Sequence, residues 1–218
     1  MTIFVLASAS PARLGVLRNA GVEPVVRVSN VDEDAVAAAL PAGTTPDHVV
    51  TELARAKAHD VAAALAAEYP DSVVVGCDSM LLVDGNLQGK PHTPEVAKAR
   101  WAEMAGRSAD LLTGHCVLRV RDGAISAEAA DCSSTTVHFA APGPEELDAY
   151  IATGEPLKVA GSFTLDGMGG WFVDRIDGDP SSVIGIGLPL VRRLLAEVGV
   201  GIAELWVGSA ELRSDAAR

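Results

Sequence analysis

Apolar positions along this chain fall into two rhythms, short β-branched runs and longer stretches with helical spacing, and the two alternate from one end to the other. Ile3-Phe4-Val5-Leu6 reads as a first strand. Ser10-Pro11 marks a helix start, a serine N-cap with proline at the first helical position; Leu14, Val16 and Leu17 form its apolar face and Gly21 ends it. Residues 25–28 make a second strand candidate. Thr45-Pro46, after a loop, repeats the start signal and opens a helix to about Ala67, with Val49, Leu53, Val61 and Ala64 inward. Thr93-Pro94 opens a third, with Val96, Ala97, Trp101 and Met104 inward and Gly106 at its end. Residues 111–120 and 133–139, with Asp122-Gly123 as a turn, predict an antiparallel pair with one wet face. Further helices are expected at residues 144–152 and 189–198, the latter with Leu190, Leu194 and Val198 inward. Strands are expected at 171–173 and 202–207, a charged turn at 175–179, and a frayed tail at 209–218. Alternating strands and helices argue an α/β protein, and the hairpins argue a mixed sheet.

One run departs from its own pattern. Val73-Val74-Val75 has the composition of a strand buried on both faces, but it passes through Gly76-Cys77 into Asp78-Ser79 before resuming as Met80-Leu81-Leu82-Val83. Asp84-Gly85 or Gly85-Asn86 then turns the chain toward Gly89-Lys90-Pro91. An aspartate inside a core strand is costly unless it is paired, hydrogen-bonded or metal-bound. Two readings stand: a structurally satisfied carboxylate, or a functional one with Lys90 brought back toward it.

Two other cations sit where local structure does not favour them. Arg13 lies in the first turn of a helix, where a positive charge opposes the dipole. A strand, a small hydroxyl loop (Ser8, Ser10), a helix N-terminus and an arginine together make a phosphate site; the alternative is an ordinary solvated arginine. Lys57 falls in the middle of the apolar stripe of its helix, between Leu53 and Val61, and either snorkels out or meets an anion. Glu52, Arg55 and His59 read as more exposed. The acidic cluster Asp32-Glu33-Asp34 has oxygen donors for a divalent metal, and is equally a helix start or solvated turn.

Length and composition narrow these choices. A chain of 218 residues, 49% hydrophobic but 4% aromatic, can bury a sizeable core made mostly of Val, Ala and Leu. A net charge of −12 argues against a protein that coats nucleic acid, though not against a nucleotide substrate in a locally basic pocket. Cys77, Cys116 and Cys132 form no CxxC pair, which argues against a zinc ribbon or disulfide framework and fits a reducing cytoplasm. No membrane span or signal peptide is expected. No GxGxxG in a βαβ unit, no GxxxxGK[ST] and no G-x-S-x-G is present, which excludes Rossmann, P-loop and nucleophile-elbow readings. Cys77 as a nucleophile is weighed against the commoner inert core thiol. The glycine-rich segment 161–170 permits close backbone approach to a ligand, or irregular loop geometry.

Several stretches together resemble one family. Leu6-Ala7-Ser8-Ala9-Ser10-Pro11-Ala12-Arg13, Leu53-Ala54-Arg55-Ala56-Lys57-Ala58, Gly76-Cys77-Asp78-Ser79 and Gly89-Lys90-Pro91 are similar to the motifs of the Maf nucleoside triphosphate pyrophosphatases, in the right order. Tyr150-Ile151-Ala152-Thr153-Gly154-Glu155-Pro156, Ala160-Gly161 and Ile184-Gly185-Ile186-Gly187-Leu188-Pro189 agree with the C-terminal part. The resemblance implies a mixed, elongated twisted sheet flanked by helices, with residues 1–208 forming one domain of two lobes and a cleft between them. It implies hydrolysis of a nucleoside triphosphate, common or modified, to monophosphate and pyrophosphate with Mg²⁺, Mn²⁺ or Co²⁺. It implies a homodimer and a link to nucleotide clean-up and cell-division arrest, and the charge, cysteine usage and apolar pattern add the expectation of a cytoplasmic protein with no nucleic-acid or membrane partner. By resemblance Asp78 is catalytic, as base or metal ligand, and Glu33 shares the metal; Ser8, Ser10, Arg13, Lys57 and Lys90 bind phosphates. Ala12, Ser79 and Asp166 fall where subfamilies of different base preference differ. The competing expectations are a nucleotide-binding regulator of division with little turnover, and a phosphatase acting on monophosphates.

Overall fold

The structure, a computed structural model, describes residues 2–206. The first strand, β1 (Ile3–Ala7), leads into α1 (Pro11–Asn19), capped by Ser10, whose hydroxyl accepts from the Arg13 N–H. β2 (Val25–Arg27) follows, then α2 (Glu33–Ala39) and α3 (Pro46–Leu65). The acidic cluster is therefore a helix start: Asp32 is the N-cap of α2, with Glu33 and Asp34 in its first turn. The long β3 (Ser72–Val83) turns at Asp84-Gly85, both at positive φ, into β4 (Asn86–Gln88). α4 (Pro94–Met104), β5 (Ser108–Arg121) and β6 (Ala124–Phe139) follow, and then α5 (Pro144–Ala152), β7 (Val173–Asp177), α6 (Pro180–Ile184) and α7 (Leu188–Glu197).

The strands form one mixed seven-stranded sheet in the order β2-β1-β3-β5-β6-β7, with β4 paired to β3. β1 is parallel to both its neighbours, and the remaining pairs are antiparallel. Alternation along the strands divides the core. Phe4, Leu6, Val75 and Cys77 pack against α1 and α7 on one face; Val5, Ala7, Val74 and Cys116 pack against α3 on the other. Farther along β3 and β5, Leu81, Val83 and Leu111 join Trp101, Met104, Phe139 and Tyr150 in a third cluster. Among the described residues no helix is long and apolar enough to cross a membrane.

Several expected elements are corrected. Trp171 and Phe172 lie in a 3₁₀ turn; the strand begins at Val173 and runs through the expected charged turn to Asp177, because its exposed side chains make an edge strand on β6. The expected strand at 202–207 is a 3₁₀ turn, Ile202–Glu204, with an isolated bridge from Trp206 to Val22; residue 207 and the tail at 209–218 lie outside the described residues. The stripe of α3 is rotated: Ala64 is exposed and Val49 half-buried, and Val50, Ala54, Ala58 and Leu65 are buried with Leu53 and Val61. Val96 on α4 is 40% exposed. The short helix α6, which later proves to matter, has no counterpart in the sequence reading.

α3 lies unusually close to the sheet, and two glycines explain it. A Cβ on Gly76 would collide with the Ala54 carbonyl oxygen and the Ala58 N–H, and one on Gly114 with the backbone of Val50 and Thr51. Gly114 is the cross-strand partner of Asp78. A glycine inside a strand marks close backbone approach, and here the approaching backbone is the helix that carries Lys57. Gly114→Ala is expected to destabilise the fold by about 1–3 kcal/mol, the usual cost of overpacking, measured by urea unfolding. It should also lower activity more than stability alone explains, because α3 must move away from Asp78.

Candidate active site

The site forms where the parallel part of the sheet changes direction. β1 has β2 on one side and β3 on the other, with α1 packed on one face and α3 on the opposite face. Such a switch point opens a crevice at the carboxyl ends of the strands, the usual ligand position in open α/β sheets. β1 ends at Ala7, opposite Gly76, so β3 runs on from Cys77 without that neighbour and its backbone edge is left open.

Arg13 fills this edge. Its Nη1 donates to the Cys77 carbonyl (2.9 Å) and to Ser8 Oγ (3.0 Å), Nη2 to Ser79 Oγ (3.2 Å), and Nε to the Gly185 carbonyl (2.7 Å). Among the described residues four of the five guanidinium donors are thus engaged, and one on Nη2 is left for a ligand. Ser8 Oγ also accepts from the Ser10 N–H at 3.2 Å, and Ser10 caps α1. Ser79 Oγ shares a hydrogen bond with Thr113 Oγ1 (3.0 Å), which donates to the Ser182 carbonyl of α6 (3.0 Å). Arg13, Ser8, Ser10 and Ser79 are therefore one connected assembly.

On the α3 face Asp78 is 5% exposed and Lys57 is 8% exposed. Lys57 Nζ lies 2.5 Å from Asp78 Oδ1 and 2.8 Å from Glu33 Oε1, so one ammonium bridges two carboxylates. Asp78 Oδ2 is buried and, among the described residues, has no partner. Burial pushes the Asp78 carboxyl above its ordinary value, more than the nearby Lys57 and Arg13 charges bring it down. For Glu33 burial is also the largest single influence and raises it, yet the hydrogen bond and charge of Lys57, with Lys90 and Arg13 beyond, together hold it below the usual range. The lysine on the apolar stripe has met an anion, and it is a protein carboxylate.

The other candidates are looser. Lys90 is exposed; its strand end is held by Arg100 Nη1, which donates to the Gly89 carbonyl at 2.5 Å, and its charge reaches Glu33. Ala12 is half-buried in the first turn of α1. Asp166 is exposed, and among the described residues no hydrogen bond joins it to the rest. Cys77 is fully buried with its thiol pushed up to about 11 by burial, which keeps it neutral and removes it as a nucleophile. A groove of about 610 Å³ between Pro142, Tyr150, Met168 and Trp171 contains none of these residues. Thr113 and Ser182 join the site without having been singled out in the sequence, and Gly185 joins it from the Ile184–Pro189 stretch.

A family model described as Maf-like protein matches residues 3–198. The chain belongs to the Maf family. It is 77% identical over 202 residues to a protein of Nocardia farcinica (strain IFM 10152), covering 93% of this chain and 95% of that one. It is 73% identical over 210 residues to one of Rhodococcus jostii (strain RHA1), covering 96% and 98%, and 58% identical over 207 residues to one of Mycolicibacterium gilvum (strain PYR-GCK), covering 94% and 99%. Each of these relatives is called a nucleoside triphosphate pyrophosphatase. Of the stretches that carry the Maf resemblance, Leu6–Arg13, Gly76–Ser79 and Ile184–Pro189 meet through the contacts of Arg13, Leu53–Ala58 joins Gly76–Ser79 through Lys57 and Asp78, and Gly89–Pro91 reaches them through the charge of Lys90 at Glu33.

Proposed function

We propose that this Maf protein hydrolyses a nucleoside triphosphate at the α–β anhydride, releasing the monophosphate and pyrophosphate. The observation that carries the reading is Asp78 Oδ2: among the described residues a buried carboxylate oxygen without a partner, on the carboxylate that Lys57 pairs and the charge of Arg13 reaches. A triphosphate brings about four negative charges into this crevice; the free donor of Arg13, the ammonium of Lys57 and the exposed Lys90 offset them. Lys57 has two anions to hand over, since Asp78 and Glu33 each engage it, so phosphate oxygens compete for a cation already in place. Asp78 Oδ2 is the atom that takes the proton of the attacking water or orients it, and a carboxyl raised by burial is a stronger base than an ordinary aspartate.

Glu33 and Asp78 also fit a divalent ion. They offer only oxygen donors, they meet on one atom, Lys57 Nζ, and two carboxylates are as many as Mg²⁺ usually takes from a protein. A bound Mg²⁺, Mn²⁺ or Co²⁺ supplies charge neutralisation of the phosphate oxygens. Base preference falls to Ala12 and Asp166, with Ser79 acting through Arg13 and Thr113, which already engage its hydroxyl. β3 and β5 run through all three core clusters, which supports one domain of two lobes.

The test is a screen of common and modified nucleoside triphosphates with each metal, separating pyrophosphate from single phosphate release. Pyrophosphate release is expected. Release of single phosphates from monophosphates would support the phosphatase reading instead, and saturable binding without turnover the regulator.

A further inference from the structure

The guanidinium of Arg13 is held at both ends by groups that trace back to one strand. Its Nη2 meets Ser79, which leans on Thr113 of β5 and through it on the Ser182 carbonyl of α6. Its Nε meets the Gly185 carbonyl, in the turn between α6 and α7. Gly185 sits at φ 127°, so the carbonyl's direction depends on what fixes this turn. One tie is Ser181, whose carbonyl accepts from the Gly185 and Ile186 N–H groups and whose hydroxyl accepts from Leu188 N–H. Val191 N–H donates to the Gly187 carbonyl at 2.8 Å, and a further tie comes from beneath: His115 Nε2 accepts from the Gly187 N–H at 2.8 Å.

His115 is 0% exposed and lies two residues from Thr113, on the same face of β5. An acceptor at Nε2 requires the Nδ1–H tautomer. Burial, with the Arg13 charge behind it, holds the ring down to about 3, so it stays a neutral acceptor. Packing alone does not call for an imidazole here, because an aliphatic side chain fills a buried strand position without the cost of burying a polar ring.

We propose that His115 is a positioning residue for Arg13, setting the guanidinium in the phosphate crevice through the Gly185–Gly187 turn. It touches no substrate. The inference rests on Arg13 contacting the substrate's phosphates, as argued above, and the test separates the two.

The test compares wild type, His115→Leu, His115→Gln, Arg13→Met and the His115→Leu/Arg13→Met double variant. Each is assayed for kcat and KM with the fastest triphosphate of the screen and for binding of inorganic pyrophosphate by calorimetry. Misplacing a binding group by about 1 Å costs up to about 10²-fold, so His115→Leu should lose about 10–100-fold in kcat/KM, mostly in KM. His115→Gln, whose amide oxygen reaches the Nε2 position, should recover most of that loss. In the Arg13→Met background His115→Leu should cost less than about threefold more, the non-additivity of residues acting as a unit. An equal loss in both backgrounds, or full activity in folded His115→Leu, overturns the proposal. If His115→Leu fails to fold by circular dichroism, His115→Asn replaces it: its shorter amide cannot reach Gly187, and equal behaviour of the Asn and Gln variants also overturns the proposal. Wild-type activity in Arg13→Met removes the reading of Arg13 itself, and is seen before any His115 variant is compared.

Discussion

Asp78→Asn is expected to lower kcat/KM by at least about 10²-fold, and by up to about 10⁴-fold, while leaving the protein folded. Asparagine keeps the shape and an oxygen at the Oδ1 position, so the Lys57 hydrogen bond survives as a neutral–charged one and Glu33 still pairs the ammonium. What disappears is the negative charge and the proton-accepting capacity at Oδ2. The sign of the stability change separates this loss from unfolding. The Asp78 carboxyl is raised above its ordinary value, chiefly by burial. A group whose folded pKa is raised favours folding most below its unfolded pKa and loses that contribution as pH climbs through the folded value. At neutral pH the ionised carboxylate therefore works against the fold, and the asparagine variant should melt no lower than wild type. The same shift predicts that wild-type kcat/KM falls on the acid side through a pKa above the ordinary aspartate value, and that the residual activity of Asp78→Asn lacks this limb. Full activity in the folded, metal-loaded variant would sink the assignment.

The residues that were legible in the sequence are those whose local setting contradicts their chemistry. Asp78 interrupts an apolar strand, Lys57 interrupts an apolar helix stripe, and Arg13 stands at the wrong end of a helix dipole; the structure brings the surroundings of all three to one crevice. The helix starts at Ser10-Pro11, Thr45-Pro46 and Thr93-Pro94 were legible because a cap and a proline act within one turn. What escaped depends on tertiary partners. Trp171 and Phe172 look like strand by composition, but their backbone turns and Val173 makes the ladder, since β7 is an edge set by its pairing with β6. The orientation of α3 followed the glycine seats at Gly76 and Gly114 more than its own apolar spacing, which is why Ala64 came out exposed. A glycine in mid-strand was the available signal for that approach. Thr113 and His115 carry no such signal: a threonine and a histidine in a strand gain meaning only once α6 and the turn after it are laid over them.

Lys57→Met should produce the largest loss of stability. The side chains of Lys57 and Asp78 are 10% and 8% exposed, and removing one partner of a buried ion pair leaves the other charge uncompensated at a cost of about 3–5 kcal/mol. For a chain of this length that corresponds to a fall in Tm of roughly 6–20 °C. Methionine keeps most of the volume and the unbranched stem, so the loss is electrostatic and not a cavity. Its pH dependence follows. Without Lys57, the two influences that lower the Asp78 carboxyl most, the lysine's charge and its hydrogen bond, are gone and burial is nearly unopposed. The folded pKa then rises further above the unfolded one, so the deficit against wild type is larger at neutral pH than in acid, shrinking as pH falls through the folded values and losing its Asp78 part below about 4, where the carboxyl is protonated in both states. Adding Asp78→Asn removes the stranded charge, and the Lys57→Met/Asp78→Asn double variant should regain most of the lost stability while remaining inactive. Urea unfolding of the four proteins at two pH values measures this directly. A single variant as stable as wild type at neutral pH, with an unchanged pH dependence, would mean that Asp78 is not held as a charge by Lys57, and that the crevice must draw its cation for phosphate from Arg13 and Lys90 alone.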